Sequence, residues 1–272
     1  MPEGAPAPRD RISAAIRAAA AQGRPALVGF LTAGFPSRGE FKANLAAVAG
    51  VCDVVEIGVP FSDPMADGAT VQRASCVALT DGVTLPWIFE FLQSLHPRHA
   101  APLLLMSYLN PLLSVGLESL PGAAAAAGVA GFIVPDLPFE ESADLRQALE
   151  SEGLALVQMV TPVTPPERLA MLCREARGFV YAVTMTGTTG MNRGESTEVP
   201  RDVLEYMDRV RSCSKVPVCA GFGIRSRQQV ASFAGHVDGV VIGSALVEVL
   251  ERREDVGAFL KSLRPEAISP SG

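Results

Sequence analysis

Eight short apolar runs recur along the 272-residue chain, each followed by a Gly/Pro-rich or polar loop and then by a longer segment with helical spacing. Strands that are apolar throughout are typical of a parallel sheet covered on both faces. The runs are ALVGFLTAG from residue 26, CDVVEIGV from 52, APLLLM from 101, VAGFIVPD from 129, LALVQMVTP from 154, GFVYAVTMTG from 178, VPVCAGFG from 216 and VDGVVIGSA from 237.

The fold prediction follows from the segments between these runs, which include ADLRQALE, PPERLAMLCREA, RDVLEYMDRVRS and RQQVASFAG. Eight such units without a linker predict an α/β single-domain (β/α)8 TIM barrel over residues 1–272, with flexible ends at 1–8 and 266–272. An extra N-terminal helix is expected, capped by Asp10 and ending at Gly23. An open doubly wound sheet is the alternative. It is disfavoured because Gly221-Phe222-Gly223 lies in the seventh unit and lacks the rest of a dinucleotide fingerprint.

The charge of the chain narrows the class of partner, and its cysteines indicate the cellular compartment. The net charge is −6, the isoelectric point is about 5.2, and the 23 basic residues are scattered, which argues against nucleic acid or an anionic membrane as a partner. Five cysteines without a C-x-x-C pair indicate reduced thiols and favour the cytoplasm. No apolar run approaches the roughly 20 residues of a membrane span, and no signal peptide is recognisable.

In a barrel of this kind, functional groups lie at the carboxyl ends of the strands and in the loops that follow. This rule selects the candidates in chain order: Glu56 and Asp67, Asn110, Asp136, Thr161, residues 184–190, Gly221 and Gly223, and Gly243 and Ser244.

The last two units predict a phosphate site. Gly221-Phe222-Gly223 and Gly243-Ser244 offer small residues whose backbone N–H groups can approach an anion beside a helix N-terminus. Each motif alone is as well explained by a chain turn, but barrels commonly hold phosphate at these two positions together. The loop TGTTGMNRG at 186–194 has the composition of a lid.

The positions of lysine and histidine exclude two mechanisms. No lysine falls at a strand top, which argues against a Schiff base, and no histidine does, which makes a metal site improbable. The residues are Lys42, Lys215, Lys261, His96, His99 and His236. Carboxylates must then carry the chemistry.

Three carboxylates follow or interrupt the second run. Glu56 stands among apolar neighbours, which predicts a raised pKa and proton exchange near neutrality, although a structural carboxylate bonded to the backbone is the alternative. Asp67 can stay ionised and hold a substrate N–H. Asp63 and Asp67 can equally be turn and helix-cap residues.

These motifs together resemble one family. VEIGVPFSDPMADG, LLLMSYLNP, FIVPDLPFEES, VYAVTMTGTTG, GFGI and IGSA, in this order, resemble the tryptophan synthase alpha chain from about Phe30 onward. The resemblance implies a lyase that cleaves indole-3-glycerol phosphate to indole and glyceraldehyde 3-phosphate by a retro-aldol reaction, with neither metal nor Schiff base. It implies Glu56 as the general acid and base, and Asp67 as the group that holds the indole N–H and stabilises the ring's positive charge.

The resemblance also assigns binding residues and a partner. Phe30 and Tyr181 would line the indole pocket, Gly190, Gly223, Gly243 and Ser244 would bind phosphate, and Thr189 would be a lid residue that meets Asp67. A tryptophan synthase beta chain is the implied partner in an α2β2 complex; it would carry the pyridoxal phosphate, and this chain no cofactor. The implied contact residues are Pro60, Asp63, Pro64, Asn110 and Pro138.

Some residues depart from the family pattern. Ala69 replaces the usual proline, Met185 and Thr186 stand where a basic or small residue is common, and MNRGEST extends the lid. Three other functions remain open: a stand-alone lyase supplying free indole, a catalytically weak module that only activates a beta chain, and a phosphate-binding barrel isomerase, which would lack the PFSDPMADG loop.

Overall fold

The computed structural model describes residues 6–95, 100–184 and 199–265. Nine strands in these ranges form one parallel sheet. They are β1 Ala26–Thr32, β2 Val54–Gly58, β3 Leu103–Met106, β4 Val129–Ile133, β5 Ala155–Leu156, β6 Gln158–Val160, β7 Val180–Val183, β8 Val218–Gly221 and β9 Gly239–Ile242. Their order is β5-β4-β3-β2-β1-β9-β8-β7-β6.

Helices separate the strands along the described chain. They are α1 Pro8–Ala21, α2 Arg38–Ala49, α3 Ala69–Thr80, α4 Leu85–Gln93, α5 Leu109–Val115, α6 Leu120–Ala126, α7 Ala143–Ser151, α8 Pro166–Glu175, α9 Arg201–Cys213, α10 Arg227–Ser232, α11 Ser244–Glu251 and α12 Val256–Leu263, with a 3₁₀ turn at Phe139–Glu141. The four helical segments predicted from spacing are confirmed as α7 to α10. Local chemistry fixes several starts: Ser37 caps α2, and Ser226 with Gln229 forms a capping box on α10.

The sheet closes into a barrel through its first and last strands. β1 pairs with β2 on one side and with β9 on the other, where Ala26 lies opposite Gly239. The two ends of the strand order, β5 and β6, are separated in the chain by Val157 alone, whose N–H donates to the Phe132 carbonyl over 2.9 Å. The predicted barrel is therefore confirmed, the open sheet is wrong, and the fifth predicted strand is divided in two.

Helix α1 covers the amino-terminal end of the barrel. Ile12 and Ile16 pack with residues of the barrel interior, and the Arg17 guanidinium donates to the Lys215 carbonyl just before β8. The predicted Asp10 cap is wrong: Ala7 is the cap residue and Pro8 begins the helix. Proline suits a first helical position because its missing N–H would be unpaired there. Residues 1–5 lie outside the described part, so the flexible ends stay a prediction.

Two further features bear on the sequence analysis. All five cysteines are free; Cys52, Cys173 and Cys219 are buried, whereas Cys76 and Cys213 are exposed. Among the described residues no single helix is long and apolar enough to cross a membrane; α3 and α4 reach that length only together, across an 80° bend.

A buried ion pair fastens the amino-terminal rim. Arg24 donates to both carboxylate oxygens of Asp53 over 2.7 and 2.8 Å, and the backbone N–H of Leu27 donates to the same carboxylate over 2.8 Å. Both charged side chains are only 13% exposed. The carboxylate thus joins the starts of β1 and β2.

Asp53→Ala is expected to lower the free energy of unfolding by about 3 kcal/mol, because it leaves a partly buried guanidinium and a strand N–H unpaired. Arg201→Ala is the control, since Arg201 is 91% exposed in its pair with Glu205 and its loss should cost less than about 0.5 kcal/mol. Urea unfolding measures both. Equal losses would contradict the role given to Asp53.

Candidate active site

Glu56 is a buried carboxyl in the barrel interior, 1% exposed. Val54 packs inside the barrel, so strand alternation turns Glu56 inward as well. Burial raises the pKa of Glu56 to about 8, and the negative charge of Asp67 adds to the rise. The Glu56 Oε2 atom is buried and has no hydrogen-bond partner among the described residues. Structural carboxylates are normally paired, so this geometry favours proton exchange over the structural alternative.

Asp67 lies at the end of the loop that joins β2 to α3. Its N–H donates to the Pro64 carbonyl over 3.2 Å, and the Gln72 amide donates to its carbonyl over 2.8 Å. Gly68 is the cap residue of α3, so the helix-cap alternative is wrong for Asp67. Burial raises the pKa of Asp67 to about 6, and the nearby Tyr108 hydroxyl opposes that rise. Two neighbouring carboxyls with different pKa values are suited to separate roles.

Two aromatic rings line the space above Glu56, and glycines make room for them. A Cβ at Gly58 would lie 2.6 Å from the ring of Phe30, and one at Gly221 would lie 2.6 Å from the ring of Tyr181. Burial raises the pKa of the Tyr181 hydroxyl well above its usual value, so that hydroxyl stays protonated. The cavity therefore has flat apolar sides.

The sequence analysis predicted an anion site at the tops of β8 and β9, where two glycines and a helix start lie together. Gly223 has a φ of +69°, a conformation that favours glycine, and a Cβ added at Gly223 or Gly243 would meet nothing within 4 Å. Helix α11 begins at Ser244, and no side chain caps it. An uncapped helix N-terminus beside two open glycines is suited to a phosphate.

These groups surround one cavity of about 260 Å³. It brings together seven of the nine predicted catalytic and substrate-binding residues, namely Phe30, Glu56, Asp67, Tyr181, Gly223, Gly243 and Ser244. Thr189 and Gly190, like Met185, Thr186 and the lid loop, lie outside the described residues. Thr184 and Gly221 also line the cavity, as the barrel rule predicted.

The sequence analysis missed other lining residues. Met106 and Val183 are the last residues of β3 and β7. The rule that functional groups lie at the carboxyl ends of barrel strands could therefore have identified them. Tyr108 does not line the cavity, but its hydroxyl accepts the N–H of the lining residue Ala66; the sequence analysis quoted it in a motif without a role. The remaining missed residues are Ala66, Gly68, Thr70, Val71, Phe222 and Val241.

A second and larger cavity, of about 390 Å³, lies beside the first and shares Val183 with it. Asp136 and Thr161 line this second cavity, not the one around Glu56, and Asn110 lines neither. Because the smaller cavity holds both carboxyls with raised pKa values, it is the better candidate for the chemistry.

The predicted contact residues differ in exposure. Asp63, Asn110 and Pro138 are exposed, Pro64 is half-buried and Pro60 is buried within the chain. Two large apolar side chains stand beside them and were missed by the sequence analysis: Met65 is 95% exposed and Leu113 is 49% exposed. Met65 follows Pro64 directly, and Leu113 lies three residues after Asn110.

The three lysines and His236 do not line the cavity. Lys42 is in α2, Lys215 precedes β8 and Lys261 is in α12. His236 forms a 2.8 Å pair with Asp208, whereas His96 and His99 lie outside the described residues. In the described part of the chain no group of three or more His, Cys, Asp or Glu side chains is arranged to hold a metal.

Comparison with known proteins bears directly on the resemblance. The family model described as tryptophan synthase alpha chain matches residues 16–263. The chain is 47% identical to the tryptophan synthase alpha chain of Solidesulfovibrio magneticus, over 92% of this chain and 96% of the relative. Its identity to the Geobacter sulfurreducens alpha chain is 42%, over 90% and 94% of the two chains.

Solved structures agree with these sequence matches. A chain of Mycobacterium tuberculosis tryptophan synthase has a TM-score of 0.83 at 34% identity, covering 93% of this chain and 96% of that one. A chain of the Pyrococcus furiosus tryptophan synthase α2β2 complex has a TM-score of 0.79 at 31% identity, covering 88% and 96%. The resemblance predicted from the motifs is confirmed. The chain therefore belongs to the tryptophan synthase alpha chain family, as a lyase and an alpha subunit of tryptophan synthase in tryptophan biosynthesis.

Proposed function

We propose that the cavity around Glu56 cleaves indole-3-glycerol phosphate to indole and glyceraldehyde 3-phosphate. The observation that carries this proposal is the buried Glu56 carboxyl, whose Oε2 atom is unpaired among the described residues and whose pKa is about 8. Such a group is protonated at pH 7 and has no structural partner for its proton. It can therefore give that proton to a ligand.

In this proposal Glu56 alone carries out both proton transfers, first as an acid and then as a base. As a neutral acid it protonates the indole ring carbon that carries the glycerol chain. As the resulting carboxylate it takes the proton of the adjacent glycerol hydroxyl, while the carbon–carbon bond breaks and its electron pair neutralises the ring. The hydroxyl becomes the aldehyde of glyceraldehyde 3-phosphate, and Glu56 regains its starting form.

Asp67 supplies the charge in this proposal. With a pKa of about 6 it is mostly ionised at pH 7, so it can accept the indole N–H and stabilise the positive ring formed by protonation. Phe30 and Tyr181 would hold the flat ring between them. Gly223, Gly243 and Ser244 would take the phosphate, and the same role stays a prediction for Gly190, as does the lid role for Thr189.

The proposal requires no cofactor in this chain, because the two carboxyls provide both proton transfer and charge stabilisation. The positions of the three lysines support cleavage without a Schiff base. Cytoplasmic location is part of the same proposal and is supported by five free cysteines.

A beta chain is the proposed protein partner, in the α2β2 form named for the Pyrococcus furiosus relative. The partner would carry the pyridoxal phosphate. Met65 and Leu113, exposed beside Asp63 and Asn110, favour a covered surface over the stand-alone lyase. The presence of both carboxyls in one cavity argues against a module that only activates its partner.

Glu56→Gln and Asp67→Asn should each lower indole release at least about 100-fold, because one loses the transferable proton and the other the stabilising charge. Initial rates of indole release by the purified variants measure this. Glu56→Gln should also be more stable than the unchanged protein at pH 9, where the fold buries an ionised Glu56. Turnover within tenfold of the unchanged protein would contradict the roles assigned.

The pH dependence of kcat/KM should be bell-shaped. Activity should fall below pH about 6, where Asp67 gains a proton and loses its charge, and above pH about 8, where Glu56 loses the proton it must donate. Initial rates at low substrate concentration, from pH 5 to 10, test this. A rate that keeps rising above pH 9 would contradict Glu56 as the initial acid.

Asp63→Ala should leave indole release by the isolated chain within twofold, yet reduce its stimulation by a beta chain at least about threefold, since Asp63 is exposed on the proposed contact surface. Asp10→Ala is a matched control, because Asp10 is exposed on α1 at the opposite end of the barrel. Titration of each variant with a beta chain gives both quantities. Equal stimulation of the two variants would contradict the placement of the partner.

A further inference from the structure

Tyr108 lies between the carboxyl end of β3 and the start of α5, and it is 5% exposed. Three loops meet around it: the loop that follows β2, its own, and the loop that follows β4. The sequence analysis gave Tyr108 no role, and the mechanism proposed above does not use it. Its contacts nevertheless reach both Asp67 and the proposed partner surface.

The hydroxyl of Tyr108 is bonded to the loop that follows β2. It accepts the N–H of Ala66, the residue directly before Asp67, over 2.8 Å. A single hydroxyl oxygen therefore fixes the backbone next to Asp67, and the same hydroxyl lowers the pKa of the Asp67 carboxyl. The ring stacks on Phe61, with centroids 5.1 Å apart and planes 28° apart.

The other two loops are joined next to Tyr108. The N–H of Leu109 donates to both carboxylate oxygens of Asp136, over 3.0 and 3.2 Å. Asp136 precedes the predicted contact residue Pro138 by two positions, and Tyr108 precedes Asn110 by two. The remaining predicted contact residues, Pro60, Asp63 and Pro64, flank Phe61 in the first loop. Every predicted partner contact is therefore within three residues of this network.

We propose that Tyr108 is a positioning residue that links the partner-facing loops to the Asp67 carboxylate. This inference rests on the proposed function, since it assumes that a beta chain covers those loops. A partner that shifts any of the three loops would move the Tyr108 hydroxyl, and with it Asp67. Small displacements suffice, because a charge stabilises a reacting ring only when it is held in place.

The test is Tyr108→Phe, which keeps the ring and its stacking and removes only the hydroxyl. In the isolated chain kcat should fall about tenfold with KM within twofold, because the Ala66 N–H loses its acceptor. The acid limb of the pH profile should move to higher pH, because the Tyr108 hydroxyl lowers the pKa of Asp67. Stimulation by a beta chain should fall at least about threefold. A purely structural tyrosine would not move the acid limb.

Tyr206→Phe is the matched control, since Tyr206 is a buried tyrosine in α9 whose hydroxyl has no hydrogen-bond partner among the described residues. It should change neither the acid limb nor the stimulation. Phe61→Leu supplies a second variant, which removes the ring stacking while keeping the Tyr108 hydroxyl; stimulation should fall more than turnover of the isolated chain does.

The outcomes separate the two proposals. If the unchanged protein releases indole and responds to a beta chain, but Tyr108→Phe keeps its acid limb and its stimulation, the inference about Tyr108 is overturned and the proposed function stands. If the unchanged protein releases no indole, the proposed function fails first and the inference fails with it.

Discussion

The pairing of β1 with β9 is the contact on which the rest of the molecule depends. Parallel strands that close on themselves must all end at the same rim, so side chains distant in the sequence become neighbours there. Glu56 in β2, Tyr181 in β7 and Gly243 after β9 share one cavity for this reason. Without closure, the same residues would be spread along the edge of an open sheet.

The two ends of the barrel use carboxylates in opposite ways. At the amino-terminal rim, Asp53 pairs with Arg24 and Leu27, and Asp238 accepts the N–H of Val218 over 2.8 Å. At the other end the Glu56 carboxyl is buried, and its Oε2 atom has no such partner among the described residues. A pKa raised from 4.5 to about 8 corresponds to a destabilisation of roughly 3 kcal/mol at pH 7, growing as the pH rises toward 8.

Asp67 and Glu56 are held in position by different parts of the structure. A strand holds Glu56, so the barrel alone fixes its position. Asp67 sits on a loop, and the backbone directly before it is held by the Tyr108 hydroxyl from the neighbouring unit. The proposed proton transfer is assigned to Glu56, which a barrel strand fixes. Asp67 is fixed by loops, so it is the carboxyl that a partner protein can influence.

The sequence by itself determined the barrel, its order of strands and helices, and most of the residues around the cavity. Each of these follows from local patterns: apolar runs, helical spacing, and polar or glycine residues directly after a strand. The two incorrect predictions also came from local sequence patterns. Asp10 looked like a cap, but Pro8 begins α1, and the run from 154 looked continuous, but Val157 interrupts its pairing.

Only the tertiary structure decided what depends on neighbours from other units. It placed the Tyr108 hydroxyl on the Ala66 N–H beside Asp67, left Glu56 Oε2 unpaired among the described residues, and exposed Met65 while burying Pro60. No spacing rule predicts these facts, because pKa values, hydrogen-bond partners and exposure are set by atoms that approach through space. The sequence therefore determined which groups reach the rim, and the closed barrel decided which of them meet.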